Sequence, residues 1–340
     1  MTLEPGPGPT ADRTRRRLGA AARALATIAV LGVSAGLLIW VAPPDEVLAQ
    51  LRHMNPWWLV GAVALELGSC LSYVVVFRRF FPEPPRRVSR RVAWISMGAG
   101  AVLPGGNISS AAATGWLLRK HGIGTRRLVG RCAALLCLLT AFGFLVNGVA
   151  GAFLLAGLPG GPHDLLHAGG PLLVSIAVLS GAALVVVVSR RLGESAPTML
   201  RGLAAGLDGA WRAVGTPHWR LLGAAGYLGL DMGALWAACA ATGHPIGIPA
   251  LIIAYCIGYL ATVIPMPAGL GVLDSGLAAC LVLYGMSPAA SVGAVLVYHA
   301  IAIWVPGAGG LAAWLPTRRA APAFRTPELT PLRLAAEADR

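Results

Sequence analysis

Long apolar runs separated by short arginine-rich stretches set the rhythm of this chain. Uninterrupted runs near 20 residues, the helical length that crosses a hydrocarbon core, cover about 20–42, 57–77, 132–157, 171–189, 221–241 and 289–315. Each predicts a membrane-spanning helix, six in all. Two further apolar stretches, 92–118 and 249–284, are interrupted midway. The first breaks at Leu103-Pro104-Gly105-Gly106-Asn107 and the second at Ile264-Pro265-Met266-Pro267-Ala268-Gly269-Leu270-Gly271. Halves of about 12–16 residues make helices of roughly 18–24 Å, short of the roughly 30 Å core. Spacing supports a duplication: Pro104 precedes Gly122 by 18 residues, and Pro267 precedes Gly285 by 18. Broken apolar segments in corresponding places point to a binding site in transporters built from repeats.

Charge placement decides how the broken stretches cross. If each enters and leaves on one side, the clusters at 13–23, 78–91, 119–131, 190–220 and 318–340 share a compartment and hold 26 of the 27 Lys and Arg residues. Only Arg52 then lies opposite. If each crosses once, the division is 16 against 11. Cytoplasmic loops carry the excess of basic residues, so the first arrangement is preferred. The expected fold is therefore an all-α integral membrane protein with about six transmembrane helices and two oppositely oriented re-entrant helical hairpins, an inverted repeat. Both termini face the cytoplasm, and the expected location is the inner (plasma) membrane of a bacterial cell envelope.

Composition agrees with this and excludes other classes. With 56% hydrophobic and 12% charged residues and a mean hydropathy of +0.70, the chain has too little polar surface to cover a water-soluble globule. The net charge of +13 sits in short clusters between apolar runs, not on one soluble face, which argues against nucleic-acid binding. The first run follows Arg13 and Arg15 to Arg17 but exceeds the roughly 7–15 residues of a signal-peptide core, so it reads as a retained anchor. The basic 1–19 and the 317–340 stretches read as disordered tails. Residues 199–214 place apolar Met199, Leu203, Leu207 and Val214 at helical spacing among charges, which suits an interfacial helix. Gly229-x-x-x-Gly233 suggests close helix approach. Six cysteines lie inside apolar runs without a C-x-x-C pair, so no disulfide framework, metal or other cofactor is signalled. His163 and His167 have metal-ligand spacing but lack an evident third ligand beyond Asp164.

The motifs resemble the lysylphosphatidylglycerol synthase transmembrane region, also called the flippase-like domain. Leu103-Pro104-Gly105-Gly106 followed by Trp116 to Ile123 carries the likeness in the first half. Ile264 to Val272, then Leu296-Val297-Tyr298-His299-Ala300-Ile301, carries it in the second, and the likeness spans roughly 20–316. The resemblance implies a protein that moves phospholipid between leaflets, alone or beside a soluble aminoacyl-transferring domain. The chain departs from the family pattern at Asp274, where glutamate is usual, and at His299, where arginine is usual.

Half-helices that begin in mid-membrane point unpaired amides, and a partial positive charge, at the break. Pro104, Gly105, Gly106, Asn107 and Ser109 in the first hairpin, with Pro267, Gly269, Gly271 and Asp274 in the second, are the candidate substrate-binding residues. Asn107 and Ser109 either touch substrate or cap the half-helix, and Asp274 either caps its half-helix or touches substrate. Glu66 and Asp231 lie mid-span, where an ionisable group is costly and so a functional candidate. They bind a cationic headgroup, relay protons, or accept hydrogen bonds from Ser69, Tyr73 or His299; His299 is a packing or proton-transfer residue. The expected substrate is an anionic phospholipid or polyprenyl-phosphate lipid, with a lipid-modifying transferase or a second copy as possible partners. The rival readings are an intramembrane transferase on a lipid-linked substrate and a non-catalytic partner of a lipid-modifying enzyme.

Overall fold

A computed structural model describes residues 43–319 except 104, 196, 217 and 261–271. The described residues form α1 (Pro44–Arg52), α2 (Pro56–Phe80), α3 (Arg86–Val102), α4 (Asn107–Arg119), α5 (Thr125–Leu155), α6 (Gly170–Leu192), α7 (Thr198–Gly215), α8 (Leu222–Ala241), α9 (Ile248–Leu260), α10 (Val272–Leu283) and α11 (Pro288–Arg319). Short single turns aside, nothing but helix joins this list, and the chain is an all-α membrane protein. Helices α2, α5, α6, α8 and α11 are long and apolar enough to span a membrane. The run at 20–42, the 1–19 tail and residues 320–340 lie outside the described residues, while 317–319, expected in the disordered tail, continue α11 as helix.

Helix boundaries follow local chemistry more closely than hydropathy. Asn55 accepts the Trp57 amide at 3.0 Å and Pro56 occupies the first helical position, so α2 starts sharply there. Helices α3 and α5 begin six and seven residues before their apolar runs, taking in Arg86, Arg87, Arg126 and Arg127. Arginine is a good helix former, so the helix continues where the apolar run stops.

Specific contacts fix which ends lie together. Arg131 on α5 pairs with Glu83, just past α2, at 2.6 Å, and Arg79 on α2 donates to the Thr216 hydroxyl after α7 at 2.5 Å. Asp208 on α7 binds Arg212 at 2.7 Å and also Arg190 at the end of α6. Arg212, joined by Arg190, holds the Asp208 carboxyl below its ordinary range. Three arginine-rich clusters therefore gather at one end of the molecule, called here the basic end. At the far end, Gln50 binds the Thr242 carbonyl at 2.9 Å, Tyr284 binds the His167 carbonyl at 2.7 Å, and Gly160 packs on Gly247.

This arrangement makes α3 leave the basic end and α4 return to it, while α9 leaves the far end and α10 returns there. The α3–α4 pair is antiparallel: Ser96 and Thr114 hydroxyls meet at 2.6 Å, and a Cβ on Gly100 would touch Ser110. Gly258 of α9 lies against Leu277 of α10. The unit α2, α3–α4, α5 is thus followed by a unit α8, α9–α10, α11 that runs the other way. Each helix pair sits in its own core. Phe77, Phe81, Leu118 and Leu128 build the cluster around α3–α4, and Leu235, Ile253, Leu281 and Val295 the one around α9–α10.

Helices α2 and α8 pack along each other. Added Cβ atoms at Gly223 and Gly226 would lie 2.6 Å from the Ser72 carbonyl oxygen and Ser72 Oγ. Gly229, by contrast, has nothing within 4 Å, and Gly233 only ordinary contact with Leu65. The close approach expected from Gly229-x-x-x-Gly233 is made one to two turns earlier, on the face that meets α2. Residues 199–214 are helical within α7. Its small residues Gly206 and Gly209 rest on Ala133, Ala134 and Cys137 of α5, and Met199, Leu203, Trp211 and Val214 stay exposed.

Gly223→Ala forces α2 and α8 apart and is expected to cost about 1–3 kcal/mol, whereas Gly229→Ala has no such penalty. Thermal unfolding of the purified variants in detergent checks this, and equal midpoints would contradict the α2–α8 seam.

Candidate functional site

A cavity of about 850 Å³ touches both cores and is lined by residues from α2, α3, α4, α5, α8, α9 and α11. Its wall is mostly apolar. Glu66, Asp231, His299, Gly105, Gly106 and Asn107 all line it, although they are spread over more than two hundred residues of sequence. Trp116 of α4 and Val129 and Leu136 of α5 also line it, and all three are solvent-accessible. Arg119 and Thr125 line its mouth at the basic end.

The α3–α4 break forms the cavity's wall beside α11. Gly105 and Gly106 have φ of +99° and +48°, conformations in which a side chain is strained. No side chain caps α4, which starts directly from Gly106. The Ile108 amide instead bonds to the Gly105 carbonyl at 2.9 Å and the Ser110 amide to the Gly106 carbonyl at 3.0 Å. The break is thus partly self-satisfied: two of the amides expected to face an anion are already engaged by the turn. The capping role considered for Asn107 is not used, and its exposed side chain lies on the cavity. Ser109 lies beside Gly105, whose added Cβ would sit 3.2 Å from Ser109 Oγ. Pro104, Pro267, Gly269 and Gly271 lie outside the described residues. Asp274 falls in the first turn of α10, with its side chain outside the description.

Glu66 and Asp231 face each other across the α2–α8 seam, within reach of direct electrostatic coupling. Asp231 accepts the Tyr255 hydroxyl on Oδ2 at 2.5 Å and the Tyr298 hydroxyl on Oδ1 at 2.8 Å. Glu66 is only 5% exposed. Its Oε1 is 3.7 Å from the Cys70 thiol, and no donor reaches Oε2 among the described residues. Ser69, considered as a partner for these acids, donates to the Tyr227 carbonyl at 2.8 Å. His299 is buried on the cavity wall next to Tyr298.

Sequence reasoning offered Tyr73 as a partner for the acids but missed Tyr255 and Tyr298, which bind Asp231, and Tyr227. Four of the chain's six, Tyr73, Tyr227, Tyr255 and Tyr298, line this one cavity. Their scarcity, and their position inside apolar runs, was the available signal. A second signal is that Glu66 lies 38 residues before Pro104 and Asp231 36 before Pro267. The acids hold corresponding places in the two oppositely running units, so packing α2 on α8 brings them together. The far-end histidines do not converge on a shared point: His163 Nδ1 contacts the Leu154 carbonyl and His167 Nδ1 contacts Asp164, each at 2.8 Å.

The family profile described as Lysylphosphatidylglycerol synthase TM region matches residues 26–310. Among curated proteins none matches the chain.

Tyr298→Phe removes one of the two hydroxyls that serve a carboxylate enclosed by α2, α8, α9 and α11. It is expected to lower stability by about 1–3 kcal/mol, read as a fall in the unfolding midpoint in detergent. An unchanged midpoint would mean that the Tyr298–Asp231 bond contributes nothing.

Proposed function

Because the chain belongs to the family of the lysylphosphatidylglycerol synthase transmembrane region, we propose that it is a lipid flippase for an anionic phospholipid or polyprenyl-phosphate headgroup. The cavity is the observation that carries this reading. At about 850 Å³ it has the size of a small-molecule site, enough for a headgroup without its acyl chains. On this reading the acyl chains stay in lipid beside the apolar Trp116, Val129 and Leu136 of α4 and α5 while the headgroup moves inside.

Chemistry along the cavity suits such a passage. Moving a phosphate through hydrocarbon costs many kcal/mol unless polar groups replace its water. Arg119 at the mouth supplies a guanidinium, the side chain best matched to a phosphate. Deeper in, the exposed side-chain amide of Asn107 offers hydrogen bonds from the wall. On this reading α3–α4 and α9–α10 are re-entrant hairpins that enter from opposite faces, the basic end is cytoplasmic, and α7 with its exposed Trp211 rests on that leaflet's surface.

The test uses purified protein in liposomes carrying a trace of tail-labelled phosphatidylglycerol, with leaflet exchange followed by quenching of the outer label. The protein is expected to accelerate exchange over empty vesicles. Arg119→Gln is expected to slow it about tenfold, the value of one charge-assisted bond. Lys120→Gln removes a neighbouring charge that stacks over Trp116 at 4.0 Å and is expected to act weakly. No acceleration for phosphatidylglycerol, for a polyprenyl phosphate or for other headgroups would overturn the reading.

A further inference from the structure

The flippase reading leaves one feature without a task. Two carboxyl groups, Glu66 and Asp231, stand together on the path of an anion. If both were charged they would repel the phosphate they are meant to pass. Among the described residues no lysine or arginine from α2, α8, α9 or α11 lines the cavity around them; Arg119, which does line it, stands at the other end of α4, about 20 Å along the helix from the break.

The two acids are not equivalent. Asp231 accepts a tyrosine hydroxyl on each oxygen, which favours its carboxylate form. Glu66 is 5% exposed, lines the cavity, and keeps Oε2 without a donor among the described residues. We propose that Glu66 is a proton-carrying site and that lipid transport is coupled to its protonation, with the proton and the anionic headgroup moving in the same direction. A hydronium ion entering the cavity gives its proton to Glu66 Oε2, forming an O–H bond and leaving water. The neutral Glu66 then admits the phosphate past a single remaining carboxylate. Release of the proton to water on the other side restores the glutamate charge and expels the headgroup. A metal cation is the poorer fit, because among the described residues no group of three His, Cys, Asp or Glu side chains comes together to hold one.

Other groups face the same space and must be separated from Glu66. They are Cys70 and Tyr73 from α2, Tyr227 and Asp231 from α8, Tyr255 from α9, and Tyr298 and His299 from α11, with Arg119 of α4 and Cys132 of α5 farther along the wall. Helix α3 contributes only Met97, Gly100 and Ala101. His299 is the strongest rival, since imidazole is the side chain that ordinarily titrates near neutrality.

The inference rests on the flippase reading, and its test separates the two. Proteoliposomes with tail-labelled phosphatidylglycerol are given a pH difference between lumen and bath. With one proton per lipid, the label is expected to accumulate in the leaflet facing the alkaline side, about tenfold per pH unit at equilibrium. Glu66→Gln is expected to abolish that accumulation whatever its exchange rate, while His299→Gln keeps it. Exchange that ignores the pH difference in wild type overturns the proton inference and leaves the flippase reading standing. Absence of any exchange overturns both. Accumulation that follows a sodium gradient instead, or that Glu66→Gln retains, also overturns it. If Glu66→Gln does not fold, infrared difference spectra of wild type and Asp231→Asn replace it: a protonated-carboxyl band must appear on acidification in both. Its absence from wild type, or its loss in Asp231→Asn, contradicts the assignment to Glu66.

Discussion

A helix interrupted at membrane depth has backbone groups that lipid cannot satisfy, and most of this structure is arranged around that constraint. The α3–α4 break is met on one side by α11 and on another by the cavity, while Val102, Leu103 and Ile108 beside it stay exposed. Its first amides fold back onto the Gly105 and Gly106 carbonyls. The Ser96–Thr114 hydroxyl contact and the glycine at position 100 hold the two arms together. Helix α11 then closes against α3, where added Cβ atoms at Gly98 and Gly310 would strike the Pro306 and Trp94 carbonyl oxygens at 2.8 Å and 2.9 Å. Gly105 and Gly106 line the cavity, and the cavity is where the candidate chemistry collects.

The same arrangement accounts for the acidic pair. A single buried carboxylate is expensive and two are more so, yet Glu66 and Asp231 meet at the middle of the molecule. They meet because α2 and α8 occupy matching places in units of opposite direction and pack along each other through Gly223 and Gly226. Tyrosines from α9 and α11 then divide the pair unequally, donating to both oxygens of Asp231 while the buried Glu66 Oε2 has no donor among the described residues. Symmetry in the fold supplies the two acids; asymmetry in their hydrogen bonding separates their roles.

Much of the architecture was legible in the sequence. Apolar length alone located α2, α5, α6, α8 and α11 to within a few residues, because a span must be long and nearly free of charge. Their starts were less legible, since arginine-rich first turns are helical without being apolar. Glu66, Asp231, His299, Gly105, Gly106 and Asn107 were recognisable as candidates from the cost of mid-span charge and from the Pro/Gly break. What could not be read was their convergence, which depends on tertiary packing. The packing glycines show the same limit: Gly223 and Gly229 look alike in sequence, and only the face turned to α2 distinguishes them. The tyrosine ligands of Asp231 come from helices 24 and 67 residues away, a separation at which local pattern carries no signal.

The central claim is that the two helix pairs open from opposite faces of the membrane. Single cysteines placed on a cysteine-free background at Arg87 and His121, which flank α3–α4, and at His244 and Ser287, which flank α9–α10, test it most directly. All four positions are exposed. A membrane-impermeant thiol reagent applied to sealed vesicles of known orientation is expected to label positions 87 and 121 from one face and positions 244 and 287 only from the other. Labelling of 87 and 121 from opposite faces would contradict the account.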